Sequence, residues 1–163
     1  MKKILIFLLF TLFVNCSDNT DVSGTEILPG TTSTQTINHD GLERQYLIYV
    51  PNSYDIQSKF PLMINFHGYG GLANDHMAYT NMRSLADSKN FILIYPQGSE
   101  LDGYSHWNAA INGGDNKSSA DDLGFIETII NTHSEILDLK RVYAFGFSNG
   151  GMMSYALGCY KSN

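Results

Sequence analysis

Arg141-Val142-Tyr143-Ala144-Phe145-Gly146-Phe147-Ser148-Asn149-Gly150-Gly151-Met152-Met153 is the stretch that decides how this chain is read. An apolar run leads into Gly146-Phe147-Ser148-Asn149-Gly150, a G-x-S-x-G pentapeptide, and a helix-compatible segment follows. A serine on a sharp strand-to-helix turn projects its hydroxyl above the sheet, and flanking glycines let neighbouring backbone approach. A serine hydroxyl is a poor nucleophile at neutral pH and needs an adjacent base. Such pentapeptides also arise by chance in Gly-rich turns. The strand before and the helix after make Ser148 the candidate nucleophile.

Working outward, Pro61 to Phe66 is a short apolar run suited to a strand buried on both faces. It ends at His67-Gly68-Tyr69-Gly70-Gly71. Acyl transfer needs two backbone N–H groups aimed at the developing oxyanion. One comes from the residue after the nucleophile, Asn149, and the other from an earlier glycine-rich loop, for which Tyr69 is the candidate. A tight strand-to-helix turn is the simpler reading of that loop. His67 as base would give the order His, Asp, Ser of an all-β architecture; the helical crossovers here favour His67 as a brace for its loop. Asn74 to Asn90 reads as one helix, and Phe91 to Tyr95 as a strand closed by Pro96. A loop from Gln97 to Ser118 carries Tyr104 and Trp107, which could line a substrate cleft or simply pack. Ser119 is a plausible N-cap for a helix with the apolar stripe Phe125, Ile126, Ile129, Ile130, Ile136 and Leu137, placing His133 at a partly exposed position. Asp121 and Asp122 read as helix-start carboxylates or loop braces rather than a catalytic pair. Upstream, Gln35 to His39 and Glu43 to Val50 flank Asp40-Gly41, a hairpin signal. Alternating strands and helices imply right-handed crossovers: an α/β fold, its sheet mostly parallel with an antiparallel hairpin at the start.

The 163 residues carry a net charge of −6 and only 10 Lys plus Arg, so nucleic acid is excluded as an expected partner. Five scattered histidines form no H-E-x-x-H pair, and no metal site is expected. Two cysteines rule out a disulfide framework. Lys2-Lys3 precede an apolar run from Ile4 to Val14, too short to span a bilayer, which reads as an export signal. Cys16 directly after it suggests a lipoprotein signal, with simple cleavage or an uncleaved anchor as alternatives. The expected organisation is therefore a signal over 1–16, a Ser/Thr/Asp-rich tether over 17–33 and one domain over 34–163. Such a chain is expected outside the cytoplasm, extracellular, periplasmic or anchored to an outer membrane through lipid alone. Cys159 is expected to be a buried helix residue.

His67-Gly68-Tyr69-Gly70-Gly71, Trp107-Asn108, Asp121-Asp122-Leu123-Gly124-Phe125 and the Arg141–Met153 segment occur in that order. Together they resemble the poly(3-hydroxybutyrate) depolymerase and feruloyl/acetylxylan esterase group of α/β-hydrolases, over roughly Thr36 to Cys159. The resemblance implies a secreted serine esterase acting on polyester or on acyl groups of plant cell-wall polysaccharide, without metal or organic cofactor. It implies Ser148 as nucleophile, with oxyanion N–H groups from Tyr69 and Asn149. Many members carry cysteines just after the Trp-Asn pair that could bridge to the equivalent of Cys159; Ala109-Ala110-Ile111-Asn112 stand there instead. In this fold the triad runs Ser, acid, His. Only 15 residues follow Ser148, so the acid and the histidine are expected beyond Asn163, and the chain alone is expected to be inactive. A prolyl-oligopeptidase-like serine peptidase shares the elbow, and a non-catalytic polymer-binding remnant is the alternative outside enzymology.

Overall fold

The computed structural model describes residues 22–111 and 114–161. The hairpin forms as its turn dictates. Strand β2 (Thr32–His39) runs into β3 (Leu42–Tyr49) through Asp40 and Gly41, both at positive φ (51° and 74°). Two left-handed residues match the right-handed twist of paired strands, which is why Asp-Gly suits this position. A short strand β1 (Val22–Gly24) pairs antiparallel with β2. Val22–Gly24 falls within the span read as tether, so that part of the span is a strand of the sheet rather than tether. The signal over 1–16, Cys16 and the first part of the tether lie outside the described residues.

Strands β4 (Phe60–Phe66), β5 (Ile92–Pro96) and β8 (Leu137–Gly146) complete a six-stranded sheet in the order β1-β2-β3-β5-β4-β8. The sheet is mixed. β5, β4 and β8 pair in parallel, while β1, β2, β3 and β5 join antiparallel. Period-2 alternation then builds two cores. On one face Ile48, Leu62, Ile64, Ile92 and Ile94 pack with Leu123, Phe125, Ile126 and Ile129 of α3 (Asp122–Thr132) and Met153 and Ala156 of α4 (Asn149–Tyr160). On the other, Leu47, Tyr49, Leu93 and Tyr95 meet Ala73 and Met77 of α1 (Ala73–Thr80) and Ala86 of α2 (Arg83–Lys89). Helices thus cover both faces, as parallel pairings require.

Local chemistry corrects five expectations. The helix read over Asn74–Asn90 is two, because Asn81 takes a left-handed conformation (φ 39°) and closes α1 with its N–H on the Met77 carbonyl. The loop after Gln97 contains a small hairpin, β6 (Ser99–Leu101) with β7 (Tyr104–His106). Asp121, not Ser119, caps α3 by accepting from the Gly124 N–H at 3.0 Å. Cys159 is exposed, whereas His133 is buried, its Nε2 2.9 Å from the Tyr46 hydroxyl. Among the described residues no helix is long and apolar enough to cross a membrane.

Candidate active site

Ser148 stands between the end of β8 and the start of α4 at φ 52°, ψ −119°, a conformation that costs a non-glycine residue about 1–3 kcal/mol. The two glycines of the pentapeptide explain how the turn is tolerated. A Cβ on Gly146 would drive into the backbone of Gly150 and Gly151, and one on Gly150 into the carbonyls of Phe66 and His67, each far inside the 3.0 Å that real Cβ atoms keep. Helix α4 therefore starts pressed against the end of β4, and Ser148 is left exposed at the apex.

The His67–Gly71 loop closes over the same point. A Cβ on Gly68 would lie 3.6 Å from the Ser148 Cβ and 3.1 Å from the Phe147 ring. The loop is fixed by the β6–β7 hairpin: Gly70 N–H donates to the Ser105 carbonyl (2.7 Å), and the Ser105 hydroxyl donates to the Gly71 carbonyl. Gly71 N–H donates to the Gly68 carbonyl at 3.0 Å. Tyr69 N–H, immediately before these spent donors, has no protein acceptor among the described residues. Asn149 N–H is the first of the orphan donors at the start of α4. The structure thus brings Ser148, Asn149 and the Tyr69 loop together.

His67 is committed elsewhere. Its Nε2 accepts from Gly98 N–H (2.9 Å), which fixes the tautomer and leaves Nδ1–H to donate to the Gly68 carbonyl (2.7 Å). Burial lowers its pKa, against a smaller opposing effect of that carbonyl. With both ring nitrogens spent, His67 braces the loop and holds no lone pair for Ser148. The remaining histidines are likewise bonded away from the elbow: His39 to Thr128, His76 to Asn65, His106 to Ser99 and Asn108, His133 to Tyr46. Among the described residues no three His, Cys, Asp or Glu side chains group as metal ligands.

Of the two readings left open for Trp107, lining a cleft or packing, its burial favours packing. It borders a groove of about 650 Å³ with Asn149, Met152 and Tyr155, yet it is only 3% exposed. Its indole N–H donates to the His67 carbonyl at 3.0 Å. Exposed aromatics by the loop include Phe147 and the pair Tyr69 and Tyr104, stacked with centroids 5.6 Å apart. The next residue, Asn108, donates its N–H to Asp122 Oδ2 (2.7 Å), and Asp122 Oδ1 receives Arg44 Nη2 (2.7 Å) over the Phe125 ring. Burial pushes the Asp122 carboxyl up, with Arg44 and the Asn108 N–H pulling it down. Asp122 is therefore a buried brace. The sequence offered no sign of its partner Arg44, a polar residue on a half-buried strand, or of Gln97, whose Oε1 accepts Ala73 N–H at the start of α1 (2.8 Å).

A sheet of this topology with helices on both faces has counterparts among solved structures. An S-formylglutathione hydrolase from Agrobacterium tumefaciens superposes with a TM-score of 0.59 at 16% identity, covering 81% of this chain and 54% of that one. The chain adopts part of an α/β-hydrolase fold. In sequence this α/β-hydrolase chain is similar to feruloyl and acetylxylan esterases. Feruloyl esterase B of Thermothelomyces thermophilus is 35% identical over 119 residues, covering 69% of this chain and 38% of the relative. The bifunctional acetylxylan esterase/xylanase XynS20E of Neocallimastix patriciarum is 33% identical over 117 residues, covering 71% of this chain and 16% of the relative. The chain thus spans less than half the length of either relative. No protein-family model matches it.

Proposed function

We propose that the protein carrying this chain is a serine carboxylesterase that removes acyl groups from plant cell-wall polysaccharide, with Ser148 as its nucleophile. The observation that carries the proposal is the strained Ser148 elbow lying within van der Waals reach of a glycine-rich loop that holds an unspent N–H. Ser148 Oγ attacks the ester carbonyl carbon as its proton passes to a base. The oxygen gains negative charge between the N–H groups of Tyr69 and Asn149. Collapse expels the alcohol, and water hydrolyses the acyl-enzyme by the same route in reverse. No metal or organic cofactor enters these steps. Since all five histidines are bonded away from Ser148, a histidine base for it comes from outside residues 22–161, and the acid that orients that histidine is expected with it. Similarity to feruloyl and acetylxylan esterases supports ferulate and acetate as acyl groups; a polyester of 3-hydroxybutyrate is the further substrate implied by the motifs.

In the intact protein, Ser148→Ala should lower kcat on 4-nitrophenyl acetate and methyl ferulate by roughly 10⁴–10⁶-fold. Retention of turnover would remove Ser148 from the chemistry. The 163-residue chain by itself should show negligible turnover. A panel of methyl ferulate, acetylated xylan and poly(3-hydroxybutyrate) then assigns the acyl group.

We also propose export, with residues 1–16 as a signal and Cys16 as the lipidated residue. Labelled palmitate should enter the protein in a bacterial host and fail to enter Cys16→Ser.

A further inference from the structure

We propose that Trp107 is a positioning residue that sets the two oxyanion donors at a fixed distance from one another. The inference rests on the esterase reading of Ser148. Three hydrogen bonds carry it. Trp107 N–H donates to Asn149 Oδ1 (2.7 Å), and Asn149 Nδ2 donates back to the Trp107 carbonyl (3.0 Å). This two-point clamp ties the backbone of residue 107 to the residue that supplies one oxyanion N–H. The indole Nε1–H of the same residue donates to the His67 carbonyl (3.0 Å), two residues before the Tyr69 N–H. One side chain and one backbone segment thus join both halves of the oxyanion site.

The strut is rigid because it is buried. The indole packs edge-on to Phe66 (centroids 5.1 Å, 83°) and tilted against His67 (5.0 Å, 39°). Behind it, the Asn108 N–H is held by Asp122, itself paired with Arg44. The side-chain amide of Asn149 spends its oxygen and one N–H on Trp107, so it positions the elbow and leaves the backbone N–H as the oxyanion donor. Links in series have a distinctive consequence. Breaking either one disconnects the two donors, and breaking both adds little more.

The test uses the intact esterase, with Ser148→Ala as the control for the underlying reading. Trp107→Phe keeps an aromatic ring and the backbone clamp but removes the N–H to His67. Asn149→Ala keeps its backbone N–H but removes the clamp. Each should lower kcat on 4-nitrophenyl acetate roughly 10–100-fold at nearly constant KM, since misplacing a donor weakens only the transition state. Each should also slow phosphonylation of Ser148 by a fluorophosphonate by a similar factor. The double variant should lose little beyond the worse single one. A rise in KM at constant kcat would make Trp107 a substrate contact and overturn the proposal, as would multiplicative losses in the double variant. Losses that track a fall in Tm, and vanish when folded protein is titrated with the probe, would reduce the strut to a stability element. If Ser148→Ala keeps full activity, it is the esterase reading that fails.

Discussion

At the scale of single residues the elbow is a place where stability has been exchanged for geometry. Ser148 holds φ 52° where a glycine would sit without strain. Ser148→Gly should therefore raise stability by about 1 kcal/mol while removing the hydroxyl, a combination read by urea midpoint and turnover together. The neighbouring glycines respond the other way. Gly150→Ala places a methyl into the Phe66 and His67 carbonyls and should cost about 2–3 kcal/mol, seen as a lower urea midpoint at unchanged slope. His67 illustrates how a residue that sequence alone leaves open becomes unambiguous. Both its nitrogens have named partners, so a base role is closed to it.

Among the elements, the connection between β7 and α3 matters most to the site. It carries Trp107 and Asn108 from the edge of the small hairpin to the start of a long helix, and the Arg44–Asp122 pair locks it to β3. The Arg44 side chain is 5% exposed and that of Asp122 is fully buried. Removing one partner of such a pair leaves a buried charge without compensation. Asp122→Ala should thus cost about 3–5 kcal/mol, and because Asn108 loses its acceptor too, it should loosen the Trp107 segment. Hydrogen exchange at residues 105–109 would show that loosening, and unchanged protection there would deny Asp122 its bracing role.

For the molecule as a whole, buried histidines govern the response to acid. Burial holds His133 at about 4, against an ordinary value of 6.5, and lowers His67 and His76 in the same direction. The unfolded chain then binds more protons than the folded one across this window. Stability is fully present above pH 6.5 and is lost as pH falls towards 4, His133 alone accounting for about 3 kcal/mol. Asp122, pushed up, works in the opposite sense at the acid end. Urea midpoints at pH 7 and pH 5 should differ, and His133→Gln should flatten that difference. The sheet has its own asymmetry. β5 is buried along its whole length, whereas β8 pairs only with β4 among the described residues and leaves Leu139, Tyr143 and Phe145 about half exposed. An unpaired, apolar strand edge is a template for self-association. Light scattering on the 163-residue chain should show oligomers, and Tyr143→Lys should shift them towards monomer.

Local signals determined the elbow, the glycine-rich loop, the Asp-Gly hairpin and the alternation of strands with helices, because each rests on near-neighbour sterics and periodicity. The glycines at 146 and 150 and the turn at 40–41 could be read in this way without knowing what lay opposite them. The split at Asn81 was harder, since a left-handed asparagine within a helical pattern depends on how the flanking helices dock. What only the tertiary structure decided involves partners far apart in the chain: Arg44 with Asp122, Tyr46 with His133, Trp107 with both His67 and Asn149. A hydrogen bond across 40 or more residues leaves no periodic trace in either segment, because burial and pairing emerge only when the sheet brings the two together. That is why Trp107, which sequence left open between lining a cleft and packing, has its burial and its bonds to His67 and Asn149 decided by the tertiary structure.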